Sequence, residues 1–168
     1  MLCMDLLGII RQRRSVRKFK KGTPPGAVLK QLLEAGRWAP SGMNNQPWRF
    51  LLISGKKKKD SLSLFTKYAG IIKAAPALIA VFMDIADSYN RDKDLMAIGA
   101  CIENMLLEGQ SLGLGMCWLG EILNKKDEVV RYLRVDPDLE LMAVIAVGYP
   151  DKKIALRSRK PLKSLLVK

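Results

Sequence analysis

The chain has 168 residues, 49% hydrophobic and 27% charged, the composition of one globular domain able to bury a core and not of a disordered chain. It contains no histidine, which excludes Ser-His-Asp and Cys-His catalysis and histidine-liganded metals. Its 29 Lys and Arg outweigh 16 Asp and Glu to give a net charge of +13, a balance that favours anionic ligands or partners unless the lysines merely solvate the surface.

In chain order, the apolar stretch Met1 to Ile10 has no basic region before it and no small-residue cleavage site after it. It therefore reads as part of an amphipathic helix over Met4 to Arg13, not as a signal peptide. A loop from Gly22 to Gly26 leads into a second helix, Pro25 to Trp38, with Val28, Leu32, Leu33 and Ala35 on one face. Pro40 to Pro47 is a stiff polar loop and Trp48 to Ile53 a short apolar strand. Lys56 to Lys59 reads as a basic turn, followed by a poorly defined helical stretch from Asp60 to Lys73. Ala77 to Met83 is a buried strand.

Arg91 to Leu112 is the longest periodic segment, with Leu95, Ile98, Ile102, Met105, Leu106 and Leu112 at helical spacing. Gly99, Ala100 and Gly109 would let another helix approach, so this one is central to the fold or to a dimer interface. Met116 to Leu119 is a strand, Lys125 to Leu133 a helix and Leu139 to Val147 a strand stopped at Gly148-Tyr149-Pro150. The tail from Asp151 to Lys168 is basic. No repeat or linker divides the chain, so residues 1–168 read as a single α+β domain. Cys3, Cys101 and Cys117 are odd in number and lack C-x-x-C spacing, which disfavours disulfides and zinc and points to a reducing, cytoplasmic setting. No apolar run is long enough to cross a membrane.

Four constellations carry chemistry. Arg13, Arg14, Ser15 and Arg17 combine guanidinium forks with a hydroxyl, which suits a phosphate as well as it suits a solvated turn. An extended backbone there would put Arg13, Ser15 and Arg17 on one side. Ser41, Asn44, Asn45 and Gln46, between Pro40 and Pro47, offer uncharged donors and acceptors for a heteroaromatic ring with carbonyl and imide edges. Gly113, Gly115 and Gly120 have the wrong spacing for a dinucleotide fingerprint and follow a helix, so a Rossmann fold is rejected. Gly120 instead would expose a backbone N–H to a ligand. Arg157, Ser158 and Arg159 form a second basic cluster, suited to the same phosphate or to a plain basic tail.

In this order the pieces resemble the nitroreductase family of FMN enzymes over nearly the whole chain. The most specific match is the stretch from Leu33 to Phe50, with the spacing A-P-S-x-x-N-x-Q-P-W from Ala39 to Trp48; Arg13 to Phe19, Pro76-Ala77, Gly113 to Gly115 and Val147 to Pro150 sit where the family has them, and Arg157-Ser158-Arg159 matches more loosely. The resemblance implies an α+β homodimer with a small mixed or antiparallel sheet and FMN at the subunit interface. It implies that Arg13, Ser15 and Arg159, with Arg157, hold the FMN phosphate with Arg14 nearby, and that Arg17 approaches the N1 and C2-carbonyl edge. Pro40, Ser41, Gly42, Asn44 and Gln46 would contact the ring from the partner subunit, and Leu119 and Gly120 would present a backbone N–H to flavin N5. No side chain would be catalytic in its own right. NADH or NADPH would reduce the flavin, and a nitroaromatic, quinone or other small acceptor would take the electrons in a ping-pong cycle. The chain is shorter than the larger members, and neither Asn90 nor Asn104 matches the family's mid-chain asparagine by position. The competing expectations are a relative with other flavin chemistry (dehalogenation, dehydrogenation or flavin fragmentation) and a basic nucleic-acid-binding module. The latter is disfavoured because no basic stripe interleaved with aromatics is present.

Overall fold

A computed structural model describes residues 5–152, 154–155 and 158–167. The helices are α1 Leu6–Gln12, α2 Gly26–Arg37, α3 Lys56–Leu62, α4 Ala69–Ala74, α5 Arg91–Ser111 and α6 Lys126–Leu133. The strands are β1 Trp48–Ile53, β2 Ala77–Asp84, β3 Gly115–Leu119 and β4 Leu139–Gly148. They form one antiparallel sheet in the order β1-β2-β4-β3.

Both faces of this sheet are covered. Ile79, Val81 and Met83 of β2, with Ala143, Ile145 and Val147 of β4, pack under Leu32 of α2 and Ile98, Cys101, Ile102 and Met105 of α5. Leu78, Ala80 and Phe82, with Val144 and Ala146, pack under Leu62, Ile72, Ile122, Val129 and Leu133 on the other side. Burial on both faces explains why the two central strands read as unbroken apolar runs and not as alternating ones. A bulge interrupts β2 against β4: Val81 pairs with Ala143 and Phe82 with Leu141, leaving Met142 unpaired. Met142 and Ala143 therefore both face the α2/α5 side while Leu141 faces the other.

Several sequence expectations are corrected in detail. Lys56 to Lys59 are not a turn but the first helical residues of α3. The stretch from Asp60 to Lys73 is not one helix, because a tight turn at Ser63–Phe65 and extended Thr66 separate α3 from α4. The buried face of α2 is Leu29, Leu32 and Gly36, with Val28 and Leu33 only partly covered. Leu95 lies 40% exposed, outside the buried stripe of α5. Among the described residues, no helix is long and apolar enough to cross a membrane.

Candidate functional site

The segment after α1 runs along the outer edge of β3. Ser15 forms a parallel bridge with Met116, and the Val16 N–H donates to the Met116 carbonyl at 2.9 Å. Further on, Phe19 bridges Pro150 and the Lys20 N–H donates to the Tyr149 carbonyl at 2.9 Å. This strap covers the sheet edge. Val16 points inward and is buried, so the alternation of an extended chain turns Ser15 and Arg17 outward. Gly115 permits the contact, since a Cβ there would lie 2.6 Å from Val16 Cγ1.

The outward side chains share a cavity of about 180 Å³ lined by Arg13, Arg14, Ser15, Arg17, Ile154 and Arg159. Arg159, remote in sequence, thus joins the first cluster. Arg157 lies outside the described residues. Arg13 Nε pairs with Glu103 of α5 at 3.2 Å. Arg14 Nη1 donates to the carbonyls of Arg11 and Arg13 at 2.7 and 2.6 Å, while its Nε is buried without a hydrogen-bond partner. Arg17 Nη1 donates to the Ser15 carbonyl at 3.3 Å. Burial raises the pKa of the Cys117 thiol, and the charge of Arg17 partly offsets the rise, which locates Arg17 beside β3. Four guanidiniums, a hydroxyl and an orphaned buried N–H at one cavity make a donor set with the chemistry of a phosphate site.

The loop after α2 is backbone-strained. Met43, Asn44 and Gln46 have φ of 55°, 55° and 48°, a left-handed conformation that Asn adopts readily but that Met and Gln hold only when their surroundings impose it. The surroundings are identifiable: the Gln46 N–H donates to Ser41 Oγ at 3.0 Å, and Gln46 Nε2 to the Asn44 carbonyl at 3.2 Å. Asn45 Nδ2 donates to Asp94 Oδ1 at 2.8 Å and to the Asp87 carbonyl at 3.0 Å. Asp94 is fully buried and also accepts from Ser88 Oγ and from the Tyr89 and Asn90 N–H groups. Burial by itself would raise the Asp94 pKa. The bonds from Ser88, Asn45, Asn90 and Tyr89 outweigh it and hold the carboxyl below its ordinary value. Arg49 adds a second tie to Asp84 at 2.7 Å and to Asp87.

Pro40, Ser41 and Gly42 line a hollow of about 240 Å³ with Lys93, Met96, Ala97 and Ala100 of α5. Asn44 and Gln46 are in the same loop but not in that lining. Leu119 ends β3 with its side chain in the core, and Gly120 follows, exposed, with open space where a Cβ would stand. The structure therefore gathers the arginines and Ser15 at one cavity, whose lining includes neither the Pro40–Pro47 loop nor Gly120. Asn90 caps α5 by accepting from the Lys93 N–H at 3.1 Å, and Asn104 donates to the Ala35 carbonyl at 3.2 Å, so both have structural partners.

Sequence reading missed Asp94 and Glu121 as organisers. Asp94 had a signal: it lies in helical register with buried Ile98, Cys101 and Met105, where a carboxylate is costly unless bonded. Glu121 had none, because its partners lie far away in sequence.

The fold and site are thus an antiparallel sheet buried between two helical layers, with an arginine-lined cavity beside its edge strand. A model of the nitroreductase family matches residues 10–67 and 63–149, and the chain belongs to that family. It is 32% identical to a Bacillus subtilis protein provisionally named NAD(P)H nitroreductase YfhC, over 94% of this chain and 91% of the relative. A Desulfovibrio desulfuricans structure, provisionally named a nitroreductase and determined with FMN, shares 42% identity and superposes with a TM-score of 0.93 over 97% of this chain and 95% of the other. Iodotyrosine deiodinase of Thermotoga neapolitana is 30% identical over 87% of this chain and 89% of its own.

Proposed function

We propose that this chain is an FMN-dependent oxidoreductase that draws reducing equivalents from NADH or NADPH and passes them to a nitroaromatic, a quinone or a similar small acceptor. The observation that carries this reading is the convergence of Arg13, Arg14, Ser15, Arg17 and Arg159 on one cavity. FMN, when bound, would supply two-electron exchange at its ring, which none of the side chains lining this cavity can do.

The residues divide the work. Arg13, Ser15 and Arg159 hold the phosphate, with Arg14 behind them. Arg13 can leave Glu103 at a cost of about 1 kcal/mol, because the pair is partly exposed and bound through a single contact. Arg17, on the β3 side, sets a positive charge at the N1 and C2-carbonyl edge of the ring. Leu119 and Gly120 would offer a backbone N–H to N5, and no atom lies within 4 Å of where a Cβ would stand on Gly120 to obstruct it. Pro40, Ser41, Gly42, Asn44 and Gln46 meet the ring from a second copy of the chain. This homodimer reading is supported by the loop and the arginines lining different hollows of one chain, and by the exposed Met96 and open Gly99 of α5. One site serving both substrates in turn needs no separate dinucleotide-binding domain.

The test is the visible spectrum of the purified protein after loading with FMN and removal of the excess, with its mass from sedimentation. A flavin band of about one per chain, bleached without oxygen by NADH or NADPH, in a dimer, is expected. Colourless protein would sink the proposal. The similarity to a deiodinase supports a second reading, in which the same cofactor serves reductive dehalogenation. Retained flavin that NADH and NADPH leave unbleached, but dithionite bleaches, would favour it.

A further inference from the structure

We propose that Glu121 is a positioning residue whose carboxylate clips the Thr66–Tyr68 segment to the Gly120 turn, and so sets how the second substrate is held beside the flavin. The inference rests on the flavin reading above and goes beyond it, because neither Glu121 nor Thr66 belongs to the cofactor-holding set.

The geometry is direct. Glu121 Oε2 accepts from Thr66 Oγ1 at 2.6 Å and from the Lys67 N–H at 2.9 Å, joining segments more than fifty residues apart. Thr66 Oγ1 accepts in turn from the Tyr68 N–H at 3.2 Å, so one carboxylate organises three successive residues. The bonds from Thr66 and Lys67 lower the Glu121 pKa, so the clip is ionised at neutral pH. Glu121 immediately follows Gly120, whose carbonyl accepts from the Leu123 N–H at 3.1 Å to start a tight helical turn. Anchoring the Glu121 side chain therefore fixes the Gly120 turn and the 66–68 segment relative to each other. That segment leads into α4, whose Ile71 and Ile72 are buried, and it leaves Tyr68 half exposed. It is a loop bolted to the core at one end and to the reactive edge at the other, so it forms a wall of fixed position for an acceptor.

The experiment uses FMN-loaded protein and p-benzoquinone as acceptor, comparing wild type with Glu121→Ala, Glu121→Gln, Thr66→Val and Thr66→Ser. Loss of the clip in Glu121→Ala and Thr66→Val is expected to raise the KM for the quinone about fivefold or more, the scale of one or two hydrogen bonds. FMN content and kcat should stay within about twofold of wild type, whereas bleaching at low NADH, which enters the same site, should slow in step with the quinone effect. Glu121→Gln and Thr66→Ser keep an acceptor oxygen and a hydroxyl and should restore most of the wild-type KM. An unchanged KM in both Glu121→Ala and Thr66→Val overturns the proposal. So does a fall in FMN content or melting temperature with KM unmoved, which would make the contact merely structural. If Glu121→Ala does not fold, Thr66→Val decides alone. Colourless wild type would instead overturn the flavin reading and this inference with it, whereas coloured wild type with unmoved variants overturns this inference only.

Discussion

An added Cβ at Gly42 would lie 1.8 Å from the Tyr89 hydroxyl oxygen, and the Tyr89 N–H is one of the donors to Asp94. Gly42→Ala must therefore push Tyr89 away or shift the Pro40–Pro47 loop, at a cost of about 1–3 kcal/mol. Urea denaturation should show that loss, and FMN retention should fall with it. Unchanged stability and retention would mean that the loop is softer than its bonds imply. The cysteines behave in the opposite way. Burial pushes the Cys101 thiol up to about 12 and raises Cys117 as well, so both are small core residues and not nucleophiles at neutral pH. These assignments divide by physical cause. The arginine cluster was legible because planar donors grouped with a hydroxyl are a property of composition over a few positions. That Gly42 stands against the Tyr89 hydroxyl was not, because that side chain is brought there by packing.

At the scale of elements, α5 is the organiser. Its helical period was readable from Ile98, Ile102, Met105 and Leu106, but its role as anchor of the strained loop depends on Asp94. Asp94→Ala leaves the Ser88 and Asn45 donors and two backbone N–H groups without their shared acceptor, and should cost about 3 kcal/mol. Asp94→Asn keeps one acceptor oxygen and should cost less. Equal effects would show that the negative charge, and not the hydrogen-bond pattern, holds the loop. The strands were placed to within a residue because apolar runs bounded by Pro and Gly are local. The division of residues 56–74 into α3 and α4 was not readable. The lysines of α3 are poor N-terminal residues, with no acidic partner in its first turn, and the helix is held by Leu62 in the core and by Lys59 donating to the Ala75 carbonyl.

At the scale of the molecule, one ion cluster lies at the far end of the sheet. Arg91 and then Lys126 bond Glu140 and hold its carboxyl at about 2, against an ordinary 4.5. The folded-state pKa is depressed, so this cluster contributes stability above about pH 4.5 and loses it as pH falls toward 2. Both cations are about half exposed, so screening limits the contribution to about 1 kcal/mol. Glu140→Gln should lower the melting temperature at pH 7 and converge with wild type near pH 2. A difference that persists at low pH would assign the effect to packing. Sequence alone determined the α+β class, the absence of histidine chemistry and the two basic clusters, because composition and short-range periodicity are properties of neighbours along the chain. Tertiary structure decided the strand order β1-β2-β4-β3, the meeting of Arg159 with Arg13 and Arg17, and the Asp94 and Glu121 ties. Each of these joins residues whose separation in sequence carries no signal until the sheet is paired and both its faces are buried.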